Sequence, residues 1–133
     1  MDETTLFCSG NAIEVGQQGW FVGQFVPAAM GLRHQTAVEV KWGQHPKGEQ
    51  RTGFSQSKSA TTISILVSGI LATRLKVGEE MQEVVLRRPG DFIMIGPGVP
   101  HFWEAVEECL IISVRFPSVE AGQVNVPISV TQS

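Results

Sequence analysis

The sequence contains no tyrosine, only two cysteines and three histidines among its 133 residues, and just 17% of it is charged. Each shortage excludes something. Without tyrosine, acid–base chemistry that relies on a phenolic proton donor has no donor. Cys8 and Cys109 lie far apart and in no metal-type spacing, so they are expected to be reduced thiols of a cytoplasmic protein rather than a disulfide. Ten basic residues against thirteen acidic ones, with no basic block, leave no electrostatic footprint for nucleic acid. No apolar run approaches membrane-spanning length, and the stretch after Met1 lacks the charged and apolar regions of a signal peptide. Amphipathic helices of useful length are missing too.

What remains is a chain of one domain's length, 42% hydrophobic, in which fourteen glycines and seven prolines separate short apolar runs. Ile13 to Val15, Trp20 to Val26 and Val38 to Trp42 are strand candidates, with one helical turn at Pro27 to Met30. Pro46 and Gly48 punctuate a turn, and the polar stretch Gly48 to Ala60 reads as a loop or irregular edge. Thr61 to Val67 is the best strand, with β-branched side chains at five of its seven positions. Ser68-Gly69 is expected to turn it, so that Ile70 to Val77 returns as the second arm of a hairpin. Val84 to Leu86, Phe92 to Ile95 and Cys109 to Phe116 complete the strong strands, and the tail after Pro117 keeps some alternation at Val124, Val126, Ile128 and Val130. That tail is expected to pair at a sheet edge or with another subunit. Many short strands with close turns predict an all-β sandwich or barrel.

The most informative stretch is Pro89 to Trp103. Pro89-Gly90 has the composition of a type II turn, Phe92 to Ile95 is apolar, Gly96-Pro97-Gly98 forces a corner, and His101 opens the next strand. Gly90, Gly98 and His101 stand in the register of the second sequence motif of the cupin superfamily, which this stretch resembles. Two positions depart from that motif: Gly96 replaces a proline and Ala105 replaces an asparagine. The resemblance implies a double-stranded β-helix, the jelly-roll barrel of the RmlC-like kind, spanning residues 1–133 as one domain.

Cupins commonly hold a metal through His-x-His and Glu of a first motif plus the His of the second. The strand ending Leu66-Val67-Ser68-Gly69 sets that register here, which puts Thr62 at the glutamate position and the histidine positions at Ser55 to Ser57. Hydroxyls are poor donors to divalent first-row metals, so the usual metal site is expected to be absent. A divalent metal held by His101 with His45 and Glu49 stays open as an alternative, although His45 reads more simply as an exposed turn residue. The metal-free epimerases of this fold use a His base and a Tyr acid, and no tyrosine exists here.

Alternation from an inward Thr62 puts Ser64 and Leu66 on the cavity face and Ile63, Ile65 and Val67 outside. The same alternation carries His101 and Trp103 inward, with Phe92 and Met94 on the strand before. The expected pocket is therefore His101, Trp103, Thr62, Ser64, Leu66, Phe92 and Met94, and the expected ligand a small molecule. His101 either binds that ligand or is a buried, structurally hydrogen-bonded histidine. Lys41 and Arg51 read as solvated charges near the mouth. The outward stripe of Ile63, Ile65 and Val67 predicts a homodimer, the alternative being a reversed phase in which they are core. Three functions remain: a metal-poor binding cupin, a metal-dependent oxygenase, isomerase or lyase, and a structural module.

Overall fold

Seventeen consecutive residues, Thr61–Val77, form one extended strand, β3, and it carries the architecture. Its long partner is β6, His101–Phe116, which pairs antiparallel with β3 over nearly its full length. A computed structural model describes residues 6–51 and 53–118 of the chain. The remaining strands are β1 (Trp20–Val22), β2 (Glu39–His45), β4 (Glu80–Leu86) and β5 (Phe92–Ile95). They run in the order β1-β2-β6-β3-β4, and β5 pairs with β3 off that path.

The long pair divides into two halves. One consists of β1, β2, the C-terminal part of β6, the N-terminal part of β3, and β5. The other joins β4 to Leu71–Val77 of β3 and the N-terminal part of β6. Its far edge is the polar stretch after Pro46, whose backbone bonds Trp103, Ala105 and His101 and forms isolated bridges at Gln50 and Ser55. The register between β3 and β6 slips between Leu66 and Leu71, where bulges bend the paired strands.

Gly69 sits at this bend with φ of 87°. A β-carbon there would lie 2.0 Å from the Glu108 carbonyl oxygen. The hairpin expected at Ser68-Gly69 is therefore corrected: glycine bends a continuous strand, because β6 crosses it too closely for any side chain. The true hairpin follows at Gly78, joining β3 to β4.

Ile13 to Val15 is corrected as well, from strand to the short helix α1, Ala12–Val15. Asn11 caps it, its Oδ1 accepting the backbone N–H groups of Ile13 and Glu14 at 2.9 and 3.4 Å. A good cap at Asn11 started a four-residue helical turn and overrode the local β-branching. The turn expected near Met30 is a 3-10 segment, Ala28–Arg33, broken at Gly31. The alternation at Val124 to Val130 lies outside the described residues.

Apolar side chains from both halves meet between them. Leu66, Leu71, Leu86, Ile95, Ala105 and Ile111 are all buried in one cluster, with Val99 and Trp103 packed against it. At about 25 cal/mol per Å² of apolar area removed from water, such a cluster dominates the driving force for closing the two halves together. The buried cluster occupies only part of the interior.

Candidate active site inside the barrel

A cavity of about 80 Å³ lies beside the core cluster, with Leu71, Ile93, Ile95 and Ile111 common to both. Its polar wall follows from register. Lys41 of β2 pairs with Ser113 of β6, Ser113 with Ser64 of β3, and Ser64 with Ile93 of β5. One row along, Arg115 pairs with Thr62, and Thr62 with Ile95. Side chains two residues apart share a face, so two adjacent rows of Lys, Arg, Ser and Thr look into the cavity. The Ser64 and Ser113 hydroxyls are 3.3 Å apart. From the second half come His101, Trp103, Thr73, Ser55, Ser57 and Arg51.

Thr62, Ser64, His101 and Trp103 thus line the cavity as the alternation required. Leu66 is 1% exposed and belongs to the core beside it. Phe92 and Met94 are corrected: they are 61% and 53% exposed and face outward, while Ile93 and Ile95 take the inner positions. The corner at Gly96-Pro97-Gly98 is not extended strand, so alternation counted from His101 could not be carried back across it.

His45 is also corrected. Its side chain is only 14% exposed, ends β2 on the cavity wall and lies 4.3 Å, centroid to centroid, from the Trp103 ring. Its Nδ1 is 2.6 Å from Glu49 Oε1. The carboxylate accepts, so Nδ1 carries the proton and, in the neutral ring, Nε2 keeps its lone pair. His101 repeats that arrangement, with Nδ1 3.0 Å from the carbonyl oxygen of Val99. Burial, opposed by this hydrogen bond and assisted by the charges of Arg51 and Arg115, holds the His101 pKa below its ordinary value. His101 is therefore neutral at pH 7.

Lys41 and Arg51 stand on the cavity wall too, rather than in bulk solvent. Burial first, then the neighbouring guanidinium groups of Arg51 and Arg115, lowers the Lys41 pKa. Burial and then Arg115 lower that of Arg51. Arg115 is tied to the buried Glu39 at 3.1 Å, and Glu39 also accepts from the Ser118 hydroxyl at 2.9 Å. The Trp20 ring lies beneath two of these cations, 4.7 Å from the Arg115 guanidinium carbon and 5.6 Å from Lys41 Nζ.

Trp20, Ser113 and Arg115 escaped the sequence reading, and a signal for the last two did exist. Strand β2 and the C-terminal end of β6 each alternate polar positions (Lys41, His45; Ser113, Arg115) with apolar ones (Val40, Trp42; Ile112, Val114). A polar face reads as the solvent side by default; here it points inward.

The residues present do not suit the metal that this fold commonly carries. Ser55, Ser57 and Thr62, at the positions where ligands would be expected, supply only neutral hydroxyls, and the cavity's two imidazoles, His101 and His45, are not joined by a third donor group of the kind such a metal needs. Among the described residues no three His, Cys, Asp or Glu side chains come together as a ligand group, so His45, Glu49 and His101 do not form one. A second hollow, between α1 and strands β1 and β2, is larger at about 650 Å³ but lies outside the barrel and lacks such a row of polar side chains.

No protein-family model matches the sequence. No curated protein matches it significantly either. Solved structures do resemble it. The sugar 3,4-ketoisomerase QdtA of Thermoanaerobacterium thermosaccharolyticum, solved with TDP, is 21% identical over 63% of this chain and 62% of its own, with a TM-score of 0.56. KdgF from a Halomonas species is 19% identical over 65% of this chain and 74% of its own (TM-score 0.54). A cupin superfamily protein of Desulfitobacterium hafniense is 14% identical over 60% and 67% (TM-score 0.52). The match to QdtA spans less than two-thirds of that enzyme, and identities this low speak for the fold alone. No helix among the described residues is long and apolar enough to cross a membrane. Two bent β halves closed on a shared core, a polar-lined cavity between them and these structural neighbours give the chain the jelly-roll fold of the cupins.

Proposed function

We propose that this protein binds a small molecule inside the barrel, without the metal centre usual for the fold. The observation that carries the reading is the inverted amphipathicity of β2 and β6, whose polar faces line the cavity. Burying Lys41, Ser64, Ser113 and Thr62 around a space costs stability, because each loses water contacts that the space itself does not replace. A barrel filled only for structure would carry apolar side chains there, as it does at Leu71, Ile93 and Ile95. A few fixed polar groups on an apolar floor is the composition of a small-molecule pocket.

Two measurements test this. Metal content per chain of protein purified without chelators, beside His101→Ala, is expected to show no bound metal in either. About one equivalent in the parent, lost in the variant, would overturn the metal-free reading. A thermal-shift screen of neutral and charged small molecules is expected to yield ligands that raise the melting temperature with concentration as ln(1 + [L]/Kd). A screen without any such ligand would leave the barrel a structural module.

A second copy of the chain is the proposed partner. On the outer face of the same half, Ile63 pairs with Met94 and Val114, and Ile65 with Phe92 and Ile112. No charged side chain interrupts that patch, whereas the outer face of the other half carries Arg74 ion-paired to Glu83 and Glu104. An apolar patch confined to one face and able to meet its own copy across a two-fold axis suits an isologous dimer.

A further inference from the structure

The cavity has more positive charge than its acidic residues offset. Lys41, Arg51 and Arg115 all line it, against two nearby carboxylates: Glu39, which bonds Arg115, and Glu49, which bonds His45 and partly offsets Lys41. Among the described residues, neither Lys41 nor Arg51 forms a salt bridge. The chain as a whole is acidic, with a formal charge of −3, so this local excess of positive charge runs against its composition. Two partly buried cations that repel each other and a third are unfavourable until an anion joins them.

We infer that the ligand of this cavity is a small hydroxycarboxylate, its carboxylate held by Lys41 and Arg51 and its hydroxyl by Ser64, Ser113 and Thr62. This rests on the reading that the barrel binds a small molecule, and it names the class. Register brings the two kinds of contact together, since Lys41, Ser113 and Ser64 form one row of adjacent strands. His101 adds an acceptor, because its neutral ring keeps a lone pair at Nε2 for a ligand O–H. The remaining wall is apolar at Leu71, Ile93, Ile95 and Ile111 and fits the carbon skeleton.

Size narrows the class further. A cavity of about 80 Å³, at roughly 30 Å³ of liquid volume per water, holds two or three waters. That is the scale of the smallest hydroxy acids, of two or three carbons. Carboxylate is favoured over phosphate because most of the cavity wall is strand, whose N–H groups are spent on the ladders, the Arg51 and Ser55 N–H groups of the polar stretch bond Trp103 and His101, and α1 does not line it. Phosphate sites typically draw on free backbone N–H groups at helix starts or glycine-rich loops.

The experiment is calorimetric titration at pH 7 and low salt with glycerate, its uncharged counterpart glycerol, and inorganic phosphate. Glycerate is expected to bind one per chain and saturably, glycerol not at all over the same range, and phosphate more weakly. Lys41→Met and Arg51→Met are each expected to weaken glycerate at least tenfold, and Lys58→Met, on the exposed loop, to leave it unchanged. Lys41→Met should also melt no lower than the parent, since it removes a repelled, partly buried charge. Lys41→Gln serves if the methionine variant does not fold. Glycerol binding equal to glycerate would overturn the inference while leaving barrel binding intact. So would glycerate binding indifferent to Lys41 and Arg51, or phosphate binding tighter than glycerate. Failure of these probes together with every compound of the thermal-shift screen would overturn barrel binding itself.

Discussion

His101 illustrates how much of a residue's chemistry depends on its surroundings. As the one histidine of the second motif it invites a metal role, yet Ser55, Ser57 and Thr62 stand beside it where stronger donors would be needed. Its ring is instead held by the Val99 carbonyl and kept neutral by burial and by Arg51 and Arg115. A folded-state pKa below the unfolded value means that the unfolded chain binds the proton more readily. The stability from His101 is therefore complete above the unfolded pKa of about 6.5 and is lost as pH falls through the lower folded value. The charged side chains that share the cavity wall with it (Lys41, Arg51 and Arg115) are cationic, and none reverses this sign. His101→Gln removes the titration. Melting temperature followed from pH 7.5 to 5 is expected to fall less steeply in the variant than in the parent. Parallel curves would show that His101 is not the group responsible.

At the scale of elements, the bend in β3 is the decisive feature. Gly69 has φ of 87° and no space for a β-carbon, whereas Gly78 has φ of 64° and nothing within 4 Å of the site where one would sit. Both Gly→Ala changes incur the left-handed backbone penalty of about 1–2 kcal/mol. Only Gly69→Ala also drives a methyl into the Glu108 carbonyl and the Cys109 backbone, adding about 1–3 kcal/mol of overpacking. Urea denaturation is expected to separate the two variants clearly, and equal losses would mean that the strands part easily at the bend. The sequence made the strands legible because their alternation is local: β5 and the end of β6 were placed from composition alone. It did not distinguish a turn from a bend at Ser68-Gly69, because both use glycine for its positive φ, and the close approach of Glu108 is a long-range fact. Thr62 and Ser64 were placed correctly inside, the resemblance setting the phase at Thr62 and counting within one strand carrying it to Ser64. Phe92 and Met94 were placed wrongly, by counting across a corner. Arg51 and Arg115 acquire meaning only when strands distant in sequence form the two sides of one cavity.

For the molecule as a whole, the inverted polarity of β2 and β6 has two consequences that belong together. A polar interior leaves less apolar surface to hold that half of the barrel closed, and an apolar exterior leaves surface to be covered. Phe92 and Met94, at 61% and 53% exposure, are among the most exposed large apolar side chains on any strand. They flank Ile63 and Ile65 on the same outer face. A partner copy docked there would bury the patch and stiffen β3 and β5 from outside, so that binding and assembly become coupled through shared strands. A charge placed on that patch should be harmless to an isolated subunit, because Phe92 already faces water. It should be very costly in an interface, where a carboxylate would be desolvated without a partner. Phe92→Glu is therefore expected to convert a dimer to a folded monomer at micromolar concentration, read by analytical ultracentrifugation, with a melting temperature that no longer rises with protein concentration. Glu83→Gln on the ion-paired outer face of the other half should leave the dimer intact. A parent that sediments as a monomer, or a Phe92→Glu variant that remains dimeric, would remove this face as the interface.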